Sequence, residues 1–339
     1  MVDLLQTSTS GLLALQRALA TTSNNVANAA TPGYTRQQVL FASTPAERAG
    51  DSFVGTGVQV SEIRRVYDQF LVDEVRNGTS AEARLGTFAE LSGRIGDLIG
   101  SDAAGLSGGL QGLFDSLQRL ANDPSSTPVR QTVLSEAGSL QRRFQSLDTR
   151  LENLGAEIAE RTGASVDRIN GLAQSLADIN DRIASSPGAA DGNFPADLLD
   201  QRDRLLRDLA TEVDVRTVNA DNGQVNVFIG NGQTLVLGNE ATALTADGGA
   251  FGPTQQQVSL DGIDVSRQLT GGNLGGLLDV QREVLDPVRN DLGRSAIALA
   301  DQFNRIHNQG FDLQSNLGGD FFAAGGPAVL PATDNNGGA

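Results

Sequence analysis

Residues 137–158 read Ala-Gly-Ser-Leu-Gln-Arg-Arg-Phe-Gln-Ser-Leu-Asp-Thr-Arg-Leu-Glu-Asn-Leu-Gly-Ala-Glu-Ile, with apolar side chains at Ala137, Leu140, Phe144, Leu147, Leu151, Leu154 and Ile158. The steps alternate three and four without a miss. At about 100° per residue those steps hold the apolar groups on one narrow helical stripe, whereas a strand would need a period of two. After Ile158 the stripe slips by one residue and resumes at Val166, Ile169, Ala173, Leu176 and Ile183, ahead of Pro187. The spacing predicts one helix of about 55 residues, or two end to end. Stripes of this kind more often line an internal core than an intermolecular contact, and core is the expectation for Ala137 to Ile183.

Toward the N-terminus, Leu110 to Ala121 reads as a shorter helix, Asn122 to Pro128 as a loop, and Gly100, Gly105 and Gly108 as punctuation. A helix before them is expected from near Val66 to Ile99, carried by Phe70, Val75, Phe88, Leu91, Ile95 and Leu98. Toward the C-terminus, Ser185 to Pro195 is a loop and Ala196 to Thr211 a charged amphipathic helix. From Val213 to about Leu269 the period changes to two. Val225, Val227 and Ile229 alternate before Gly230-Asn231-Gly232, and Leu235 and Leu237 after it, which predicts a hairpin; Val258 and Leu260 mark another strand. Leu278, Leu285, Val288, Leu292, Leu299, Phe303 and Ile306 mark a last long helix, after which the chain loosens from Gly310, and Gly325 to Ala339 reads as loop or a cut edge.

The fold expected is mainly α: an elongated helical bundle with long coiled-coil-like helices plus a small β subdomain. Its segments are an N-terminal assembly helix (1–33), an extended or β connector (34–65), a long-helix bundle (66–212), the β subdomain (213–270), a returning helix (271–312) and a closing loop (313–339).

With 25 Lys and Arg against 41 Asp and Glu, the formal charge of −16 repels nucleic acid and anionic lipid surfaces. Neither is expected as a partner. Cysteine is absent, which excludes disulfides and thiolate metal sites. No window approaches the ~18 apolar residues of a membrane span, and residues 1–20 lack the basic start and unbroken apolar run of a cleaved signal peptide.

Candidates for chemistry are few. The single histidine, His307, stands near a helix end without clustered ligands, so a helix-end or packing role is expected. Gly271 to Gly276 precedes a helix but has neither the Lys-Ser/Thr pair of a P-loop nor G-x-G-x-x-G spacing, and reads as a turn with a helix start. Leu199-Asp200-Gln201-Arg202-Asp203 alternates charge over one turn, and solvated or intrahelical ion pairs are expected there. No acidic run has the EF-hand pattern. No catalytic residue, cofactor or metal ligand is assigned.

The N-terminal helix, Val2 to about Ala29, differs. Leu5, Leu12, Leu19 and Val26 recur at intervals of seven, with Leu15 beside them and Ser, Thr, Gln and Asn elsewhere. So narrow a seam cannot close a globular core and must find another helix. Asn24, Asn25 and Asn28 read equally as helix-stop residues or as amides fixing register between packed helices. Pro32 and Gly33 then break the helix before Tyr34.

The stretch Asn24-Asn-Val-Ala-Asn28-Ala-Ala-Thr-Pro32-Gly33-Tyr34-Thr-Arg36, directly after an amphipathic helix, resembles the N-terminal signature of bacterial flagellar rod, hook and hook-associated proteins. Gly55-Thr-Gly-Val58, Leu198-Leu-Asp-Gln-Arg-Asp203, Gly272-Asn-Leu-Gly-Gly-Leu277, and Phe303-Asn-Arg-Ile-His307 with Gly310-Phe-Asp312 are similar, in order, to the hook-associated protein 1 family, which forms the first hook-filament junction. The resemblance covers essentially the whole chain. It implies a non-enzymatic structural subunit required for filament assembly and motility, outside the cell on the flagellum, exported through the flagellar type III channel without a cleaved signal peptide. Implied partners are copies of itself in a ring, the hook protein, a second junction protein on the filament side, the export apparatus and an export chaperone. By the same resemblance Leu5, Leu12, Leu15, Leu19 and Val26 pack in an inner tube of helices, while Asn24, Asn25, Asn28, Gly33 and Tyr34 shape the exit toward the outer domain. The family also implies a C-terminal heptad helix paired with the N-terminal one; nothing after Phe322 supplies it, so the chain is read as C-terminally truncated. Rival readings are another axial component, rod or hook, and a surface-displayed adhesive module using Val213 to Leu269.

Overall fold

The computed structural model describes residues 4–49, 51–100, 105–249, 252–312, 314–323 and 325. In chain order these form α1 (Leu4–Ala27), β1 (Gln37–Ser43), β2 (Glu47–Ala49), β3 (Ser52–Val54), β4 (Val58–Arg65), α2 (Gln69–Gly100), α3 (Leu106–Asn122), α4 (Thr127–Ala184) and α5 (Ala196–Glu212). There follow β5 (Val215–Asn219), β6 (Val225–Ile229), β7 (Gln233–Leu237), β8 (Glu240–Ala241), β9 (Leu244–Gly249), β10 (Gly252–Leu260), β11 (Ile263–Asp264), α6 (Gly272–Val280) and α7 (Asp286–His307). The chain divides into two compact units, one of residues 1–82 with 168–243, the other of 83–167 with 244–339, so both boundaries in the helical region fall inside α2 and α4. None of the described helices is long and apolar enough to cross a membrane.

The long stripe forms one helix, the 58-residue α4. Its apolar positions are buried as expected, except that Phe144 is only partly covered. The slip after Ile158 has a physical content. Thr162 and Ser165, both fully buried, occupy the face where the stripe should have continued. Up to Ile158 the stripe packs in the second unit, against Leu91 and Ile95 of α2 and Leu277 and Val280 of α6. From Ile179 it packs in the first unit, with Leu198 of α5. Each fully buried Leu or Ile contributes roughly 1.5–3 kcal/mol.

In the second unit a separate cluster joins Leu113 of α3 to Val133, Ala137 and Leu140 of α4, with Leu299, Phe321 and Phe322 against it. Residues beyond Gly310 are therefore less loose than their composition suggests. The Asn304 carboxamide accepts the Phe321 and Phe322 N–H groups at 2.8 Å each and donates to the Phe322 carbonyl at 2.7 Å. His307 Nδ1 lies 2.6 Å from the Gly319 carbonyl, which makes it the donor, and its ring meets Phe321 edge-on: a packing histidine, as expected. The closing segment 326–339 lies outside the described residues, as do 101–104 between Gly100 and Gly105.

The Gly271–Gly276 stretch does start a helix, but its glycines serve close packing. A Cβ on Gly276 would stand 2.6 Å from the Arg84 carbonyl oxygen and 2.9 Å from Thr87 Cβ, and Thr87 Oγ1 bonds Asn273 at 3.0 Å. Gly276→Ala is expected to cost about 1–3 kcal/mol, because backbone must move to admit the methyl; urea unfolding checks it, and an unchanged midpoint contradicts the close packing.

The last helix is interrupted. A π-helical turn, Gln281–Leu285, separates α6 from α7. The apolar period runs through it, so periodicity alone does not show it; the cause is Pro287, which cannot donate to the preceding turn and whose ring needs the room that a widened turn supplies. Beside it, burial raises the Asp286 pKa, against a hydrogen bond from Gln255 and the charge of Arg289. A carboxyl with a raised folded pKa stabilises fully below its unfolded pKa, and that contribution is lost as pH rises through the folded one. Asp286→Asn is therefore expected to raise the unfolding midpoint at pH 7, with the gain vanishing on acidification below the ordinary Asp range; a gain independent of pH contradicts this.

In the first unit β5, β6, β7 and β8 form an antiparallel sheet in that order, and the expected hairpin is β6–β7, closed by residues 230–232 with Ile229 opposite Gln233. Fully buried Asn180 of α4 fastens the sheet: its Oδ1 accepts from the Val225 N–H, and its Nδ2 donates to the carbonyls of Val225 and Gly238. A polar residue inside an apolar stripe gave no such signal in sequence. The second helix begins at Gln69 rather than near Val66, because the Val66 N–H still bonds the Arg36 carbonyl and the Asp68 carboxylate caps the Leu71 N–H. Pro128, expected in a loop, occupies the first turn of α4, where its missing N–H costs nothing.

Candidate assembly surface

Heptad seam and docked face lie on nearly opposite sides of α1. Leu5, Leu12, Leu15, Leu19 and Val26 are 65–75% exposed. Ala14 and Thr21 are buried, with Thr7, Ser10 and Asn25 half-buried beside them, and this small, polar face lies against β1 and β4. The Ser10 hydroxyl accepts the Val58 N–H at 3.2 Å, and Thr7 Oγ1 donates to the Thr56 carbonyl at 3.4 Å. Gly57 permits the approach: its φ is +130°, and a Cβ there would stand 2.2 Å from Ser10 Oγ. Gly55-Thr-Gly-Val58 is thus the seat of the helix, a role that its composition alone did not show.

The helix end is built from amides. Asn25 Oδ1 accepts the Gln37 N–H at 2.9 Å while its Nδ2 donates to the Gln37 carbonyl at 2.9 Å. The Tyr34 hydroxyl donates to Asn25 Oδ1 at 2.8 Å and reaches Asn24 Oδ1 at 3.2 Å; burial, then the charge of Asp200, raises its pKa. Asn28 donates to Asn24 Oδ1 at 2.8 Å, and its backbone N–H bonds the Asn24 carbonyl. Gly33, at φ +81°, turns the chain where a Cβ would strike Arg204 and Arg207. All five residues of the expected exit come together here, with their contacts inside the chain.

The charged stretch on α5 corrects the expectation of solvated or intrahelical pairs. Arg65 Nη1 donates to Asp200 Oδ1 and Asp203 Oδ2, both at 2.7 Å, and Asp200 Oδ2 accepts the Thr35 N–H at 3.1 Å. Only Arg202 and Asp203 make a contact along the helix, at 3.9 Å. Local spacing hid this because the cation is 135 residues away from Asp200 in sequence. Among the described residues no three His, Cys, Asp or Glu side chains converge on a possible metal.

Comparison with known proteins adds independent findings. A family model described as "Flagellar hook-associated protein FlgK helical domain" matches residues 92–322, and one described as "Flagella basal body rod protein" matches residues 5–35. The chain is 36% identical to flagellar hook-associated protein 1 of Salmonella typhimurium over 99% of its length, and 35% identical to that of Escherichia coli, also over 99%. It spans 62% of the former and 63% of the latter. The solved flagellar hook junction protein FlgK of Burkholderia pseudomallei superposes with a TM-score of 0.71 at 29% identity, covering 78% of this chain and 49% of that one. From a family match across most of its helices and relatives above one-third identity over nearly all its residues, the chain belongs to the flagellar hook-associated protein 1 (FlgK) family.

Proposed function

We propose that this chain is a structural subunit of the bacterial flagellum, joining hook to filament outside the cell and acting by helix packing rather than turnover. The observation that carries the proposal is α1: its docking to its own unit uses only small and polar side chains, and Leu5, Leu12, Leu15, Leu19 and Val26 stay open to other helices. Residues 1–33 are the assembly helix of an inner tube, 34–65 the connector, and the segments 66–212, 213–270 and 271–312 the outer part. Neighbours are copies of the chain in a ring, the hook protein on one side and a second junction protein on the other, delivered by the flagellar export apparatus with an export chaperone.

Complementation tests this. The chain, joined to the part of the Salmonella relative that it does not span, is expressed in a strain lacking its own hook-filament junction protein. Restored filaments and swimming are expected; export without filaments shows that the chain occupies a different axial position.

A further inference from the structure

A cleft of about 550 Å³ opens in the first unit between β4, the loop before α5 and the turn joining β5 to β6. Two features meet in its wall. One is the start of the 17-residue α5, whose N-cap is Pro195 and makes no side-chain capping bond. The first N–H groups of a helix have no intrahelical acceptor and carry the positive end of its dipole. The other is Arg202, which is 8% exposed. Its Nη1 donates to the Gly223 carbonyl at 2.8 Å, while its Nε has no hydrogen-bond partner.

Charge around this guanidinium is unbalanced. Asp200 is engaged by Arg65 and the Thr35 N–H, and Asp203 by Arg65, leaving Arg202 only a 3.9 Å contact with Asp203. Burial first, and then Arg65 and Arg76, push the Arg202 pKa down against Asp203 and Tyr67. Arg64 and Glu62 also border the cleft, and Asn193, Asn219 and Gln224 add amides. Phe194 and Leu199 supply apolar wall.

We propose that this cleft binds an oxyanion, a carboxylate or phosphate group, between the first turn of α5 and the Arg202 guanidinium. The anion supplies the hydrogen bonds and the negative charge that Arg202 lacks. It arrives as a free ion or on an acidic side chain of another subunit.

The test is a heteronuclear NMR titration of the full chain at constant ionic strength. Inorganic phosphate is the probe in one arm and N-acetyl-aspartate amide in the other, with sodium chloride as control. Saturable shifts of the Arg202 Nε–H and the Ala196, Asp197 and Gly223 amides are expected with at least one probe. Whichever probe saturates identifies the source. Arg202→Gln is expected to weaken binding about tenfold, the loss of one charge-assisted hydrogen bond. Arg202→Lys keeps the charge and a donor toward Gly223, binds with intermediate affinity, and serves as the comparison if the glutamine variant fails to fold. Shifts that stay linear with both probes, match those from chloride, or persist unchanged in the variants overturn the assignment.

Discussion

Arg65→Met is expected to destabilise the chain by about 3–5 kcal/mol, the range for breaking a buried ion pair from one side. The Arg65 side chain is 3% exposed and that of Asp200 5%, so water reaches neither well enough to replace the lost partner. Burial lowers the Arg65 pKa, but Asp203 and Asp200 outweigh it and hold the group above the usual arginine value. Tyr67 lies under the guanidinium at 4.9 Å. Methionine retains much of the packing and removes the charge, leaving one buried and one half-buried carboxylate facing each other. Urea unfolding of the single variant measures the loss. The double variant Arg65→Met/Asp200→Leu is expected to recover part of it, since replacing both members by apolar groups removes the stranded charge. A loss below about 1 kcal/mol means that Asp200 is hydrated.

The second large effect falls on assembly and leaves folding alone. Leu12→Asp/Leu19→Asp is expected to keep the unfolding midpoint of the isolated chain within about 0.5 kcal/mol of the parent, because both side chains already face solvent. In the complementation strain the same two carboxylates enter a packed helical seam, and filaments are expected to be lost. Export must be intact for the result to count, and antibody detection of secreted chain checks that. Filaments of normal length would show that the seam is not the contact between subunits.

What sequence revealed about this molecule follows from the range of the interactions. The stripe of α4, the β6–β7 hairpin and the helix at Ala196 are set by neighbours a few residues apart, and a period or a turn motif reports them directly. Arg65 with Asp200, Asn180 with the β6 strand, and Gly276 beneath Arg84 join residues far apart in the chain, and no local pattern encodes the partner. The seam on α1 was legible because five apolar residues recur by sevens. Its docking face was not, because Thr7, Ser10, Ala14 and Thr21 look like the solvent side of an ordinary amphipathic helix. Burial reverses the usual assignment of faces: the polar side is inside, and it closes because small side chains and Gly57 bring the backbones near.

Asn25 holds a further meaning in its two bonds to Gln37. Those backbone groups lie on the side of β1 away from β4, and a carboxamide that offers one donor and one acceptor occupies them as an additional strand would. An unprotected strand border invites identical chains to zip together edge to edge. In a protein that gathers with its own copies, the amide shuts that route at its first rung, and leaves helix against helix as the way for one copy to meet the next.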